Sequence, residues 1–166
     1  MRNEDLMQAA RRAIEAAFPV APLPEADQIR NDHCPECREF AERISVRPWP
    51  ELRQAHLAGN PSPSLLTAAA FRYYLPAMML CSMESHRELD CFPAALVSEL
   101  SPAGGKPSEH RRDKLTRFNV DQVRAIIAFL RHHEATEAED LLTDASRRRV
   151  VTRAIKYWSS LARVPA

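Results

Sequence analysis

Glycine is scarce in this sequence: it supplies three of the 166 residues, whereas proline supplies thirteen. Tight hairpin turns and phosphate-cradling loops both need glycine, so the composition argues against a hairpin-rich β fold and against a nucleotide-binding loop. Proline, in contrast, can begin and separate helices. Because Ala, Leu, Arg and Glu are also abundant, we predict an all-α protein.

The chain also lacks a strong net charge and a secretory signal. Its formal net charge of +1 provides no overall field for nucleic acid or for an acidic surface. Glu4 and Asp5 precede an amphipathic pattern where a signal peptide would have a basic end and an apolar run. We therefore expect a cytoplasmic protein with no nucleic-acid or membrane partner, whose four cysteines mostly stay reduced.

The most apolar stretch runs from Leu65 to Met83 and is hydrophobic on nearly every face of a helix. Such a helix belongs in the middle of a core. Pro76 should kink it, because proline has no N–H and its ring crowds the carbonyl four residues earlier. Arg72 near its middle argues against a membrane span. Ser62 or Ser64 is expected to cap its start.

The length of the chain fits one domain with a full core and is short for two. We predict a single all-α domain over residues 1–166, a bundle of about six or seven helices around the Pro76-kinked helix. Residues 101–114, rich in Gly, Pro and charge, are predicted to form a flexible loop. Asn119 should cap a long helix, and Thr136 with Glu139 has the capping-box spacing that would start another.

The motif Cys34-Pro-Glu-Cys37 is the main candidate for chemistry, and it permits three interpretations. In the first, the two thiols bind zinc, which often takes two of its four ligands from a CxxC pair. The other two ligands would come from His33, His56, His86, Cys81 or Cys91, with His33 and Cys91 as the first candidates. The sequence contains no second CxxC and no HxxxH, so this is half of a zinc motif.

The second interpretation is a redox dithiol, since a helix N-terminus lowers the pKa of the leading cysteine and its neighbour can resolve a mixed disulfide. Glu36 and Glu39 would oppose thiolate formation at this site. The third interpretation is structural, because cysteine packs well as a small apolar residue at a buried helix turn. The sequence alone leaves all three open.

No other polar residues form a recognisable catalytic set, so we assign no catalytic residue and lean against an enzyme. His132 and His133 are interpreted as last-turn residues that suit the helix dipole. The acidic residues of 134–140 are interpreted as a solvated helix face. The basic run Arg147, Arg148 and Arg149 is a candidate binding surface, although the acidic segment before it could neutralise it, and no aromatic residues are interleaved to stack on bases.

Several short landmarks are spread over most of the chain: HCPEC at 33–37, the segment around Trp49, YYLPAMML at 73–80, LTRFNVDQVRAIIAFL at 115–130 and AIKYW at 154–158. Together they resemble a family of small bacterial proteins of unknown function. The resemblance supplies no activity and no catalytic residues, but proteins of this size and style occur as immunity or accessory partners of bacterial toxins. We therefore predict a protein-binding module, with a zinc-stabilised or thiol-oxidoreductase domain at Cys34 and Cys37 as the alternative. No cofactor other than zinc is expected.

Overall fold

Eight α-helices account for most of the residues that the structure, a computed structural model, describes: 2–29, 35–59, 61–102, 109–139 and 145–162. The described ranges contain no β-strand, which confirms the all-α prediction, and three 3-10 turns lie between the helices. The helices are α1 (Asn3–Ala17), α2 (Pro35–Ile44), α3 (Gln54–Leu57), α4 (Ala68–Glu84), α5 (Phe92–Leu100), α6 (Glu109–Lys114), α7 (Val120–Glu139) and α8 (Ala145–Leu161). The 3-10 turns are Ala26–Gln28, Trp49–Glu51 and Pro63–Leu65.

Helix α4 is the buried helix that the apolar stretch predicted. Most of its side chains are buried, including the fully buried Phe71, Tyr74 and Met78. It contacts α1, α5, α6 and α7, and the buried side chains of the molecule form one continuous core with it. Pro76 lies inside α4, which continues through it from Ala68 to Glu84; the kink at this residue stays a prediction.

The start of α4 differs from the expectation, because Thr67 is its cap. The Thr67 hydroxyl accepts a hydrogen bond from the Ala70 N–H (3.1 Å) and donates one to the Gln28 carbonyl. Ser62 instead caps the preceding turn, where it accepts from the Ser64 N–H. Two serines that each follow a proline therefore mark the turn, and the helix begins only after it.

Helix α7 forms a second layer, with α1 and α8 packed against it. Asn119 caps it as predicted: its Oδ1 accepts from the Gln122 N–H (2.9 Å), and the Gln122 side chain accepts from the Asn119 N–H (3.0 Å). The prediction of a new helix at Thr136 was wrong, because α7 runs on to Glu139. The Thr136 hydroxyl donates to the His132 carbonyl one turn earlier (3.1 Å) and so does not act as a cap.

The predicted loop at 101–114 contains a helix in its second half. Residues 109–114 form α6, and Lys114 at its end is fully buried. The Arg72 side chain donates to the Asp113 carbonyl (2.7 Å), which fastens α6 to α4. Residues 103–108 lie outside the described residues, so the predicted flexibility of the loop is untested.

None of the helices in the described ranges is long and apolar enough to cross a membrane.

Candidate functional site

Cys37, the second cysteine of the CxxC motif, lies in the first turn of α2. Cys37 is 2% exposed and is disulfide-bonded, which differs from the expectation that the cysteines mostly stay reduced. His33 and Cys34 lie outside the described residues. Because a cysteine must be a thiolate to ligate zinc, the zinc prediction refers to the reduced protein and stays a prediction.

The remaining two cysteines are free thiols. Burial and the nearby Glu84 raise the pKa of Cys81 to about 11, so this thiol is protonated and unreactive at neutral pH. Cys91 is exposed at the start of α5. Within the described ranges, neither Cys37 nor Cys91 belongs to a group of three or more side chains able to ligate one metal ion.

Helix α8 has one apolar face and one basic face. Val151, Ala154 and Trp158 are buried against the core. Arg149, Arg153 and Lys156 have i, i+4, i+7 spacing, which places them together on the opposite side of the helix, and all three are exposed. The helix contains no acidic residue. None of these three cations forms an ion pair with any residue that the structure describes, so their charge remains available to a partner.

Arg147 differs from the other members of the basic run. It lies one turn before Val151, on the side of α8 that faces α7, and it lines a cavity of about 160 Å³ together with His133 and Glu137. Its charge helps to lower the pKa of His133. The predicted binding run is therefore divided: Arg149 points away from the core, whereas Arg147 belongs to a site between α7 and α8.

That site brings together His86, His133 and Glu137, whose potential ligand atoms all lie within 4.8 Å of one another. Glu137 Oε1 is 3.7 Å from His133 Nε2 and 3.9 Å from His86 Nε2. The two imidazole rings lie at a tilt with their centroids 5.4 Å apart. His133 and Glu137 share one face of α7, and His86 reaches them from the segment after α4.

Burial dominates the electrostatics of this cluster. His133 is 3% exposed and Glu137 is 6% exposed, so the interpretation of residues 134–140 as a solvated acidic face was wrong for Glu137, whereas Glu134 is exposed as expected. Desolvation, with smaller contributions from His86, His132 and Arg147, lowers the pKa of His133 to about 3. The ring is therefore neutral at physiological pH, the form of imidazole that ligates metals.

The sequence analysis did not single out this cluster as a site. The sequence does contain evidence for two of the three residues, because His133 and Glu137 have the i, i+4 spacing that places two potential ligands on one helix face. His86 has no such relation to them, since it is far away along the chain. Its proximity follows only from the packing of the segment after α4 near the end of α7.

A larger open cavity of about 740 Å³ lies between α1, the segment 49–55 and α4. Arg11 there pairs with Glu15 (3.4 Å) and with Glu84. Arg53 donates to the carbonyls of Pro50 (2.6 Å) and Leu52 (2.8 Å). Both arginines therefore already form ion pairs or hydrogen bonds within the protein. The exposed cations of α8 form no ion pair with a described residue.

A family model described as a family of unknown function (DUF6714) matches residues 5–162, and the chain belongs to that family. This agrees with the resemblance drawn from the sequence. No curated protein and no solved structure matches the chain significantly.

Proposed function

We propose that this member of a family of unknown function is a protein-binding module that docks the basic face of α8 against an acidic surface of a partner protein. A bacterial toxin is the partner class we propose, which would make the chain an immunity-type or accessory protein. The observation that carries the proposal is the stripe formed by Arg149, Arg153 and Lys156, exposed on a helix without any acidic residue.

The position of this stripe suits docking. The buried side of α8 is held by Trp158 and Val151, so the helix presents its cations on a rigid support. The Thr152 hydroxyl lies beside the stripe and contacts Glu134 of α7 (3.4 Å). Complementary charge between two proteins accelerates their encounter and sets their orientation, so a protein with acidic groups at matching spacing is the expected partner.

Reversing the three charges together, in the variant Arg149→Glu, Arg153→Glu, Lys156→Glu, is expected to weaken partner binding by at least about 100-fold, which is about 2.7 kcal/mol. The candidate partners are the products of neighbouring genes, and the affinity of each purified pair is measured by titration calorimetry. Raising the salt concentration should weaken binding of the wild type and have little effect on the binding that the variant retains.

The matched control reverses three exposed arginines elsewhere, in the variant Arg12→Glu, Arg87→Glu, Arg131→Glu. It changes the net charge equally and should leave affinity within about threefold of the wild type. Equal loss in both variants would mean that total charge alone is responsible and would refute the α8 surface. The proposal is also withdrawn if no product of a neighbouring gene binds, or if duplex DNA binds instead.

The alternative function is thiol–disulfide exchange by Cys34 and Cys37, and the disulfide bond of Cys37 favours it. The Cys34 thiolate would attack a disulfide substrate, and Cys37 would then displace the second substrate thiol. The CxxC pair would become a disulfide, while two electrons and two protons pass to the substrate. Since Cys37 is buried, only the resolving role suits it.

This alternative predicts that, in the reduced protein at neutral pH, Cys34 reacts with a thiol probe at least about tenfold faster than Cys91, because a nucleophilic cysteine needs a lowered pKa. Cys91 is exposed and free, so it serves as the reference within the same molecule. The variants Cys34→Ser and Cys91→Ser assign the two phases of the reaction. A Cys34 that reacts no faster than Cys91 would exclude the redox function.

A further inference from the structure

We propose that His86, His133 and Glu137 bind one divalent transition-metal ion, with zinc as the expected metal. Two imidazoles and one carboxylate form a donor set that zinc accepts in sites with an open fourth position. The same donors also suit Fe(II), Co(II) and Ni(II), so the availability of metals in the cell decides among them. This site is separate from the outward face of α8 and does not depend on the function proposed above.

The distances within the cluster favour a metal ion over direct hydrogen bonds. Glu137 Oε1 lies 3.7 Å from His133 Nε2 and 3.9 Å from His86 Nε2, beyond hydrogen-bonding range in both cases. Metal–ligand bonds of about 2.0–2.1 Å in a tetrahedron place two ligand atoms about 3.3–3.4 Å apart. The two Glu137–histidine pairs therefore need to close by about 0.3–0.6 Å, and the ligand atoms of the two histidines, which lie within 4.8 Å of each other, by at most about 1.5 Å. Rotation of the three side chains can supply these movements.

Burial adds an independent reason. His86 Nε2 is shielded from solvent and has no hydrogen-bond partner among the described residues. A buried polar atom without a partner is costly, and a bound ion that supplies a partner is stabilising. Coordination would satisfy this nitrogen, and the 28% exposed side chain of His86 would provide the entry path for the ion.

The cavity beside the cluster provides room for a fourth ligand. It measures about 160 Å³ and is lined by His133, Glu137, Ser98 and Arg147 among others. A water molecule or a small anion could complete the coordination there. Arg147 places a positive charge in the same cavity, and this charge opposes a cation while it attracts an anion bound to that cation.

The competing explanation is that the cluster is purely structural, with Glu137 balanced by positive charge from neighbours such as Arg147. The two explanations predict different metal binding by the Arg147→Ala variant. If a metal ion binds, removing the guanidinium should strengthen metal affinity, by about tenfold. If the cluster is structural, the variant should bind no metal and should be less stable because a buried carboxylate has lost a nearby cation.

The experiment is metal analysis of the full chain purified without chelator, followed by titration of the metal-free protein with Zn²⁺ and Co²⁺. The wild type is expected to bind about one ion per chain. His86→Ala and Glu137→Gln should each weaken metal binding by at least about 100-fold. Mutating a residue that only hydrogen-bonds to a metal ligand already lowers metal affinity about 10–100-fold, and these two variants remove ligands themselves. Glu137→Gln keeps the shape of the buried side chain, so the test does not depend on His86→Ala folding.

Two controls separate this site from the CxxC motif. His110→Ala removes a histidine outside the cluster, and Cys34→Ser removes a thiol of the motif; both should keep the metal. The visible spectrum of the Co²⁺ form should lack a thiolate-to-cobalt charge-transfer band. The proposal is overturned if the wild type binds no stoichiometric metal, if His86→Ala and Glu137→Gln retain it, or if Cys34→Ser loses it.

Discussion

Replacing Lys114 with methionine is expected to lower the free energy of unfolding by about 3–5 kcal/mol, because it breaks a buried ion pair from one side only. Lys114 is fully buried at the end of α6. Its Nζ donates to Glu99 Oε1 (3.0 Å) and to the carbonyls of Pro63 (3.2 Å) and Ser64 (3.0 Å). The ammonium also lies 5.4 Å from the centroid of the Phe71 ring.

These contacts use all three donor positions of the ammonium group and connect α6 with α5, α4 and the turn before α4. Burial lowers the pKa of Lys114, and the charge of Glu99 acts in the opposite direction. Burial of the ammonium group therefore has a desolvation cost, which its hydrogen bonds and the charge of Glu99 offset. Methionine fills a similar volume but leaves the Glu99 carboxylate and two carbonyls without their donor.

Urea unfolding followed by circular dichroism measures the change. Lys156→Met is the matched control, because it makes the same substitution at an exposed position of α8, and it should change stability by less than about 0.5 kcal/mol. The double variant Lys114→Met, Glu99→Leu should recover at least about 1 kcal/mol of the loss, since it removes the unpaired carboxylate. A loss below about 1 kcal/mol for Lys114→Met would mean that the ion pair is not important for stability.

Replacing Trp158 with alanine is the second change with a large expected effect, also about 3–5 kcal/mol. Trp158 is fully buried, and its indole N–H donates to the Leu100 carbonyl at the end of α5 (2.9 Å). Its ring meets Phe118 edge-on at 5.4 Å between centroids, and Phe118 in turn meets Phe18 at 6.5 Å. Alanine would leave a cavity where α8 meets α5 and the aromatic residues before α7.

Two further variants divide this effect into its parts. Trp158→Phe keeps an aromatic ring but leaves the Leu100 carbonyl without its donor, so it should cost about 1–3 kcal/mol. Leu161→Ala, at a 38% exposed position of the same helix, should cost less than about 1 kcal/mol. Thermal and urea unfolding by circular dichroism measure all three. A Trp158→Ala variant as stable as Leu161→Ala would show that α8 is held without this side chain.

The docking and metal proposals place two different roles on the same pair of helices. Arg149, Arg153 and Lys156 face outward from α8. His133 and Glu137 lie on α7, beneath the first turn of α8. A metal ion at the cluster would join α7 to the segment after α4 and would stabilise the folded protein by mass action. Because the charge-reversal variant leaves Arg147 unchanged, the two proposals can fail separately.

The sequence by itself determined the local features of this protein. Helical periodicity places Val151, Ala154 and Trp158 on one side of α8, since residues three and four apart share one side of a helix. The apolar character of α4 on all faces predicted its burial. Asn119 and Gln122 specified the start of α7 through hydrogen bonds between near neighbours in the chain.

Only the tertiary structure decided which of these faces meet. The groups that contact Lys114 belong to α5, α4 and the turn at 63–65. Its burial could therefore not be deduced from the sequence of 101–114, whose composition is typical of a charged loop. His86 reaches His133 and Glu137 because the packing of α4 places the residue after it near the end of α7. Periodicity specifies neighbours within one helix, whereas contacts between distant segments depend on how whole helices pack. The candidate metal site is formed by such contacts between distant segments of the chain.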